Sequence, residues 1–338
     1  MNIALSGLPA VSEPLPWQQD TWARLGDQLG QDRLPHALLL AGAEGTGKAG
    51  FALALARLLL CAEPVNGLNC GRCHACELSA GGSHGDLRWV QPEEKSRVIK
   101  IDQVRQAVTF VNQTAGFGTR KVVVFYPADA MNTNAANALL KALEEPMSET
   151  FLLLVCHRPY GVPATIRSRC QICRLPSPDA EQAGAWLEAQ TGQREGLDDL
   201  MALANGRPLT VARLLQDDRV EALAVSRGAI QGVLSGRLSA LDASKLLHET
   251  EAAEFLLQLQ DVLQHSLRAR DRDTLKTSQA QAAFALSDEV ARLRAAMEAG
   301  SNPNASLLVD SLLARCERDL GGALTDDNMK AHQGGRAR

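Results

Sequence analysis

The stretch Gly42-Ala43-Glu44-Gly45-Thr46-Gly47-Lys48-Ala49 decides the fold of this chain. It follows the apolar run Ala37 to Ala41, which predicts a buried strand, and precedes Phe51 to Leu60, which predicts a helix packed on a sheet. A strand, a glycine-rich turn and a helix in this order are typical of a phosphate-binding loop, in which backbone N–H groups converge on phosphate oxygens at a helix N-terminus. The residues expected to face a phosphate are Gly42, Gly45, Gly47 and Lys48.

The residue after the lysine departs from this motif. A Ser or Thr normally stands there and holds Mg²⁺ through its hydroxyl, whereas this chain has Ala49. We therefore expect a degenerate loop with weak or no nucleotide binding, and ATP is not expected to be bound tightly or hydrolysed. The alternative is a glycine-rich turn that only connects two elements.

Length and composition limit the possible classes. A chain of 338 residues predicts two or three domains. Lys+Arg 35 against Asp+Glu 39 gives a net charge of −4, so no strong overall field attracts nucleic acid or an anionic membrane. We find no apolar run long enough to span a bilayer and no secretory signal, and we expect a cytoplasmic protein without a membrane partner.

Three closely spaced cysteines predict a metal site. Cys70, Cys73 and Cys76 are each separated by two residues in a short polar segment, a spacing that lets thiolates wrap one zinc ion. We favour Cys61 as the fourth ligand. The competitors are His74, His84 and the pair Cys170 and Cys173. Four protein ligands would make the zinc structural rather than catalytic, and the alternative is a set of free surface thiols.

Further apolar runs alternate with helical segments, which predicts a parallel sheet with helices on both faces. The expected strands are Leu87 to Val90, Val98 to Ile101, Lys121 to Tyr126, Phe151 to Cys156 and Gln171 to Leu175. We expect one helix to be capped by Asp102 and another to run from Thr133 to Glu145. Ligands of such folds bind at the carboxyl ends of the strands.

No strand is expected beyond Pro176. We predict an α/β P-loop domain over residues 1–176 with the zinc module at 61–76, a small helical lid at 177–218, an all-α domain at 219–325, and a disordered tail at 326–338. The lid helices are expected at Asp179 to Thr191, Glu195 to Ala204 and Leu209 to Leu215. The apolar stripes of the all-α domain, one of which includes Leu307, are interpreted mainly as an internal core, with packing against a partner as the alternative.

Two further motifs carry a resemblance to a known family. The run Asn137-Ala138-Leu139-Leu140-Lys141-Ala142-Leu143-Glu144-Glu145-Pro146, followed by Ser168-Arg169-Cys170, resembles the bacterial clamp-loader AAA+ subunits of DNA polymerase III. The resemblance covers nearly the whole chain, including the cysteine knuckle and the lid. It implies that the all-α domain at 219–325 is a collar for oligomerisation. It implies a role in DNA replication as a component of the DNA polymerase III holoenzyme.

The resemblance also implies that this chain does not hydrolyse ATP. At the positions where hydrolysing members carry a magnesium Asp and a catalytic Glu, this chain has Tyr126 and Pro127. The lid arginine of those members matches Leu209. Phosphoryl transfer depends on positioning and electrostatic stabilisation, so we expect no intrinsic ATPase activity.

One functional group of the family is kept. The resemblance implies that Arg169 is an arginine finger, which enters the ATP site of a neighbouring subunit and accelerates turnover there by roughly 10³–10⁵. The alternative is a surface salt bridge worth under about 1 kcal/mol. The implied partners are hydrolysing gamma/tau-type subunits and the delta subunit in a hetero-oligomeric ring, with the sliding clamp and primed DNA contacted through the complex.

Two other hypotheses stay open at this point. One is an ATP-hydrolysing gamma/tau-like clamp-loader subunit or another AAA+ ATPase, and the other is a zinc-binding adaptor without a ring partner. Ala49, Tyr126 and Pro127 speak against the first.

Overall fold

A five-stranded parallel sheet forms the centre of the N-terminal half of the computed structural model. The structure describes residues 5–321 apart from 94, 95, 193, 195, 205, 218, 269, 272, 299, 300 and 302. The strands are β1 (Ala37–Ala41), β2 (Leu87–Val90), β3 (Lys121–Phe125), β4 (Thr150–Cys156) and β5 (Gln171–Arg174). Their order across the sheet is β2-β3-β4-β1-β5, and every neighbouring pair is parallel.

Helices cover both faces of this sheet. They are α1 (Gln19–Gly30), α2 (Lys48–Leu60), α3 (His74–Ala80), α4 (Ile101–Val111), α5 (Thr133–Glu144) and α6 (Ala164–Arg167). One apolar core joins α1 and α2 to the face that carries Leu38 and Leu40 of β1, and a second joins α4 and α5 to the face that carries Leu39. The central strands are apolar throughout because both of their faces are buried. The predicted α/β class is confirmed.

The remaining helices follow β5. They are α7 (Ala180–Thr191), α8 (Leu197–Leu203), α9 (Pro208–Gln216), α10 (Val220–Leu234), α11 (Ala240–Leu246), α12 (Ala252–Arg268), α13 (Ser278–Glu298) and α14 (Ala305–Leu320). The chain divides into two compact units, residues 1–213 and residues 214–338. The boundaries at 176, 218 and 325 stay predictions, and the predicted tail at 326–338 lies outside the described residues.

The second unit has its own helical core. Phe255, Leu256 and Leu259 of α12 are completely buried, as are Ile230 of α10 and Leu313 of α14. The apolar stripes of this unit therefore serve mainly as an internal core. Leu307, which we assigned to the same kind of stripe, is instead 69% exposed.

Two local predictions were wrong. Val98 to Ile101 is not a strand, because Ile99 makes a single bridge to Met131 and Ile101 already begins α4. Asp102 does not cap α4. Lys100 is its N-cap, and the amide of Lys100 donates to Oε1 of Gln103 at 2.9 Å. The short helices α3 and α6 were not predicted.

Within the described part of the chain, we find no helix with the length and apolar character that crossing a membrane requires.

Candidate functional site

Two side chains of the glycine-rich loop form hydrogen bonds to the loop's own backbone. Lys48 opens α2 and is only 2% exposed, and its Nζ donates to the carbonyl of Ala43 at 2.5 Å. The hydroxyl of Thr46 donates to the same carbonyl at 2.8 Å. The side chain expected to reach a phosphate is thus bound within its own loop.

The environment of Lys48 disfavours its charge. Burial lowers the pKa of Lys48 from its usual 10.5 to about 8, and the nearby cation Arg207 acts in the same direction. Glu44, Cys156 and Asp129 partly oppose the shift. No carboxylate accepts a hydrogen bond from Nζ among the described contacts, which is why desolvation dominates.

The N-terminal segment, residues 5–18, packs on the outside of this loop. Trp17 Nε1 and Gln18 Nε2 both donate to the carbonyl of Thr46 at 3.0 Å. Gly47 has a φ of +88°, and a Cβ added there would lie 2.2 Å from Cδ1 of Leu15. Gly47 is therefore required for packing in this chain, whether or not a phosphate binds.

The lid approaches the loop from the other side. The amide of Leu209 donates to the carbonyl of Gly45 at 3.3 Å, and a Cβ added to Gly45 would lie 2.6 Å from Oγ1 of Thr210. Leu209, the residue that matches the lid arginine, is at the loop but has no charge. The cation at this place is Arg207, whose Cβ lies 3.0 Å from the same added Cβ, and sequence reasoning did not identify it.

The carboxyl end of β3 has an aromatic side chain where a metal-binding carboxylate would be expected. Tyr126 is 7% exposed and packs against the rings of Trp89 and His157, with centroid distances of 6.0 and 5.7 Å. Burial raises the pKa of Tyr126 to about 12, so the phenol is neutral at pH 7. Asp129 accepts hydrogen bonds from the amide of His157 and from Nε of Arg158.

Arg169 lies on an exposed turn that follows α6. Its Nε donates to Oε1 of Glu144 at 2.8 Å, Nη2 donates to the same oxygen, and Nη1 donates to the carbonyl of Thr165 at 3.0 Å. The side chains of Arg169 and Glu144 are 35% and 48% exposed. Glu144 is the last residue of α5, immediately before the Glu145-Pro146 pair that ends the family motif.

Four cysteines come together at the end of α2. The sulfurs of Cys61, Cys70, Cys73 and Cys76 lie within 4.8 Å of one another, and this group could hold a metal ion. The pairs Cys61–Cys73 and Cys70–Cys76 are 3.9 Å apart. Zn–S bonds of about 2.3 Å in a tetrahedron would place the sulfurs about 3.8 Å apart, so the arrangement fits zinc without large movement.

Backbone amides donate to two of these sulfurs, although burial raises the pKa of Cys61 to about 12 and also raises that of Cys76. The amide of Cys70 donates to Sγ of Cys61 at 3.2 Å, and the amide of Cys73 donates to Sγ of Cys70 at 3.3 Å. Amide donors from Arg72 and Cys73 lower the pKa of Cys70 to about 6. The competing histidines are not part of this cluster among the described residues. The rings of His74 and His84 instead pack against the ring of Phe117.

A buried arginine connects the cysteine cluster to the N-terminal segment. Arg57 of α2 is 1% exposed and donates to the carbonyls of Pro9, Ala10 and Cys76 and to the hydroxyls of Ser12 and Ser79. These bonds tie the segment that packs on the glycine-rich loop to the cysteine module.

The sheet order, a glycine-rich loop directly after β1, helices on both faces and a helical lid at the loop define an AAA+ P-loop protein. A family model described as "DNA polymerase III, delta subunit" matches residues 17–179. The DNA polymerase III subunit delta' of Yersinia pestis is 33% identical over 280 residues, which are 81% of this chain and 80% of that relative. The chain therefore belongs to the DNA polymerase III subunit delta' family.

Other relatives match a smaller share of their length. The subunit delta' of Pseudomonas aeruginosa is 47% identical over 206 residues, which are 60% of this chain and 62% of that relative. Among solved structures, a DNA polymerase III gamma subunit-related protein of Thermotoga maritima aligns over 89% of this chain and 99% of its own length, with 18% identity and a TM-score of 0.46. A similarity this distant carries no information about function.

Proposed function

We propose that this chain acts in the cytoplasm as the non-hydrolysing delta-prime subunit of a DNA polymerase III clamp loader. The observation that carries the proposal is a contrast within one domain. The glycine-rich loop lacks the groups that hold magnesium and activate water, while Arg169 is exposed on the same domain.

The loop is proposed to have no catalytic role of its own. Hydrolysis needs a metal held against the phosphates and a positioned water, and here Ala49, Tyr126 and Pro127 offer no ligand for either. The lysine of the loop motif, Lys48, is bound to the carbonyl of Ala43. A nucleotide would have to displace this bond to reach the buried ammonium group.

Arg169 is proposed to act in trans on a neighbouring subunit. In a hetero-oligomeric ring it would leave Glu144 and approach the terminal phosphates of the ATP bound next door. Release should cost little, because an exposed ion pair is worth under about 1 kcal/mol. The gain in the transition state is far larger, since an arginine finger contributes roughly 10³–10⁵ in rate.

The partners follow from the same proposal. They are the delta subunit and the hydrolysing gamma/tau-type subunits, which supply the ATP site. The chain would join them through its predicted helical collar at 219–325. The complex as a whole would load the sliding clamp onto primed DNA. A chain with net charge −4 need not make many phosphate contacts itself.

The cysteine cluster is proposed to bind one structural zinc through Cys61, Cys70, Cys73 and Cys76. Four thiolates complete the tetrahedral coordination and leave no position open for a substrate or a water. Zinc bound there would supply stability to the fold and no chemistry.

Reconstitution tests the function as a whole. The purified chain should show no ATP turnover and no saturable ATP binding up to about 1 mM. With hydrolysing subunits and the delta subunit it should form a stable complex, and clamp loading onto primed DNA should require it. Magnesium-dependent ATP turnover by the chain alone would favour the hydrolysing gamma/tau-like class instead, and loading that proceeds without the chain would overturn the proposal.

A further inference from the structure

A strongly exposed tyrosine lies close to Arg169 in the sequence. Tyr160 is 86% exposed, the highest value among the large apolar and aromatic side chains of the described residues. It lies in the short 3₁₀ turn Pro159–Gly161 after β4. The guanidinium carbon of Arg167 is 5.1 Å from the centre of its ring, a cation–π distance.

The turn that carries Tyr160 has a packed base. Val162 is 1% exposed and Ile166 is completely buried. The amide of Gly161 donates to the carbonyl of Arg158 at 2.9 Å, while Asp129 accepts a bond from Nε of Arg158. The tyrosine is therefore presented to solvent by a fixed backbone, so binding through its ring would lose little conformational entropy.

The sequence around this turn is basic. From Thr150 to Pro178 the sequence contains no Asp or Glu, although the whole chain has a net charge of −4. The same stretch contains four arginines, Arg158, Arg167, Arg169 and Arg174. Arg158 and Arg169 pair with carboxylates of other segments, whereas no carboxylate pairs with Arg167 among the described contacts. An arginine beside an exposed aromatic ring is complementary to an anionic group of a partner, and Tyr and Arg are enriched among the residues that dominate binding energy.

We infer that Tyr160 and Arg167 form a docking anchor for the neighbouring subunit whose ATP is offered to Arg169. This inference rests on the proposed function and assigns separate roles within it. The anchor increases the affinity for the neighbouring subunit, and Arg169 increases the rate of ATP turnover there. A second copy of this chain fits poorly as the occupant. Its own loop has Lys48 bound to Ala43 and lacks the magnesium ligands that would present a triphosphate to Arg169.

The test measures binding and turnover separately. Equilibrium binding of the full chain to labelled, ATPγS-loaded hydrolysing subunits is followed by fluorescence anisotropy, and maximal ATP turnover is measured at saturating chain. Tyr160→Ala and Arg167→Ala should each raise the dissociation constant about tenfold. Tyr160→Phe keeps the ring and should restore binding to within about threefold of the unchanged chain.

A matched control is Phe117→Ala. Phe117 is a 56% exposed aromatic on the loop before β3, at the opposite end of the strands, and its removal should change the dissociation constant by less than about twofold. Thermal unfolding of every variant shows whether it is folded.

The outcomes separate the anchor from the finger. If Arg169→Ala abolishes the stimulated turnover while Tyr160→Ala binds as the unchanged chain does, the finger stands and the anchor is wrong. If Arg169→Ala leaves turnover intact, the proposed function itself fails. If Tyr160→Ala weakens binding of the assembled complex to primed DNA but not subunit binding, the surface is a nucleic-acid contact and the inference is overturned.

Discussion

Nε of Arg169 donates a hydrogen bond to Oε1 of Glu144 at 2.8 Å, although the two residues are 25 positions apart in the sequence. The pair joins the turn after α6 to the last residue of α5. The arginine that we propose as a finger therefore has an anionic partner within its own subunit, and a neighbour's phosphate must compete with that partner.

Glu144→Gln tests this competition. The substitution keeps a hydrogen-bond acceptor but removes the charge, so Arg169 should be released more easily. We expect the stimulated ATP turnover of a reconstituted complex to rise by up to about fivefold, with the stability of the chain unchanged to within about 0.5 kcal/mol. A fall in turnover of tenfold or more would contradict competition and would indicate that Glu144 presents the arginine.

Because of Lys48, the free energy of unfolding should change between about pH 8 and pH 10.5. Its pKa is lowered in the folded chain, so below about 8 it is charged in both states and the desolvation penalty is fully present. Between about 8 and the unfolded value of 10.5 the folded chain has released the proton that the unfolded chain still binds, and stability rises with pH.

The expected contribution is of the order of 3 kcal/mol across this window. Urea denaturation at several pH values gives the free energy of unfolding of the unchanged chain and of Lys48→Met. The contribution of Lys48 is the difference between these two free energies at each pH. Lys48→Met should not show the increase in stability between about pH 8 and pH 10.5. If both lose stability in parallel from pH 8 to pH 10.5, the penalty assigned to Lys48 is absent.

Elemental analysis tests the metal site. We expect about one zinc per chain after purification without chelators, and a loss of zinc together with a lower melting temperature in Cys73→Ser. Cys316→Ala is the matched control, because Cys316 is a buried thiol of the second unit and its removal should leave the zinc content unchanged. A purified chain without zinc would remove the claim.

Arg57→Met tests the link between the cysteine module and the N-terminal segment. The substitution leaves the carbonyl of Pro9 without its donor and removes one of two side-chain donors to the carbonyls of Ala10 and Cys76. We therefore expect a loss of roughly 2–4 kcal/mol in the free energy of unfolding. Cleavage by thermolysin, which cuts before apolar residues such as Val11, should accelerate within residues 5–18.

Arg72→Met is the control for this variant. Its side chain is 76% exposed and its only described ion pair, with Glu63, is 3.7 Å long, so the change in stability should stay within about 0.5 kcal/mol. If Arg57→Met is as stable as this control, the buried hydrogen bonds do not hold the segment.

The sheet could be predicted because each central strand is an apolar run buried on both faces, as Ala37–Ala41 and Thr150–Cys156 are. Short elements carried a weaker signal. Val98 to Ile101 has the composition of a strand, yet only Ile99 finds a partner, and the seven residues of α3 contain too few turns to show a helical period.

Only part of the candidate site could be predicted from the sequence. Cysteine spacing predicted the cluster, and the Ser-Arg-Cys motif indicated Arg169. The partners that determine how these groups behave come from distant segments. Glu144 reaches Arg169 across a turn, and Arg207 reaches the glycine-rich loop from the lid, and no local pattern marks either contact.

The most direct test of the central claim is ATP turnover by hydrolysing subunits mixed with this chain, compared with the same mixture containing Arg169→Ala. The account predicts that the unchanged chain stimulates ATP turnover. With Arg169→Ala, which should still join the complex, the rate of turnover should be at least tenfold lower. Equal turnover with Arg169→Ala, in a complex of unchanged composition, would contradict it.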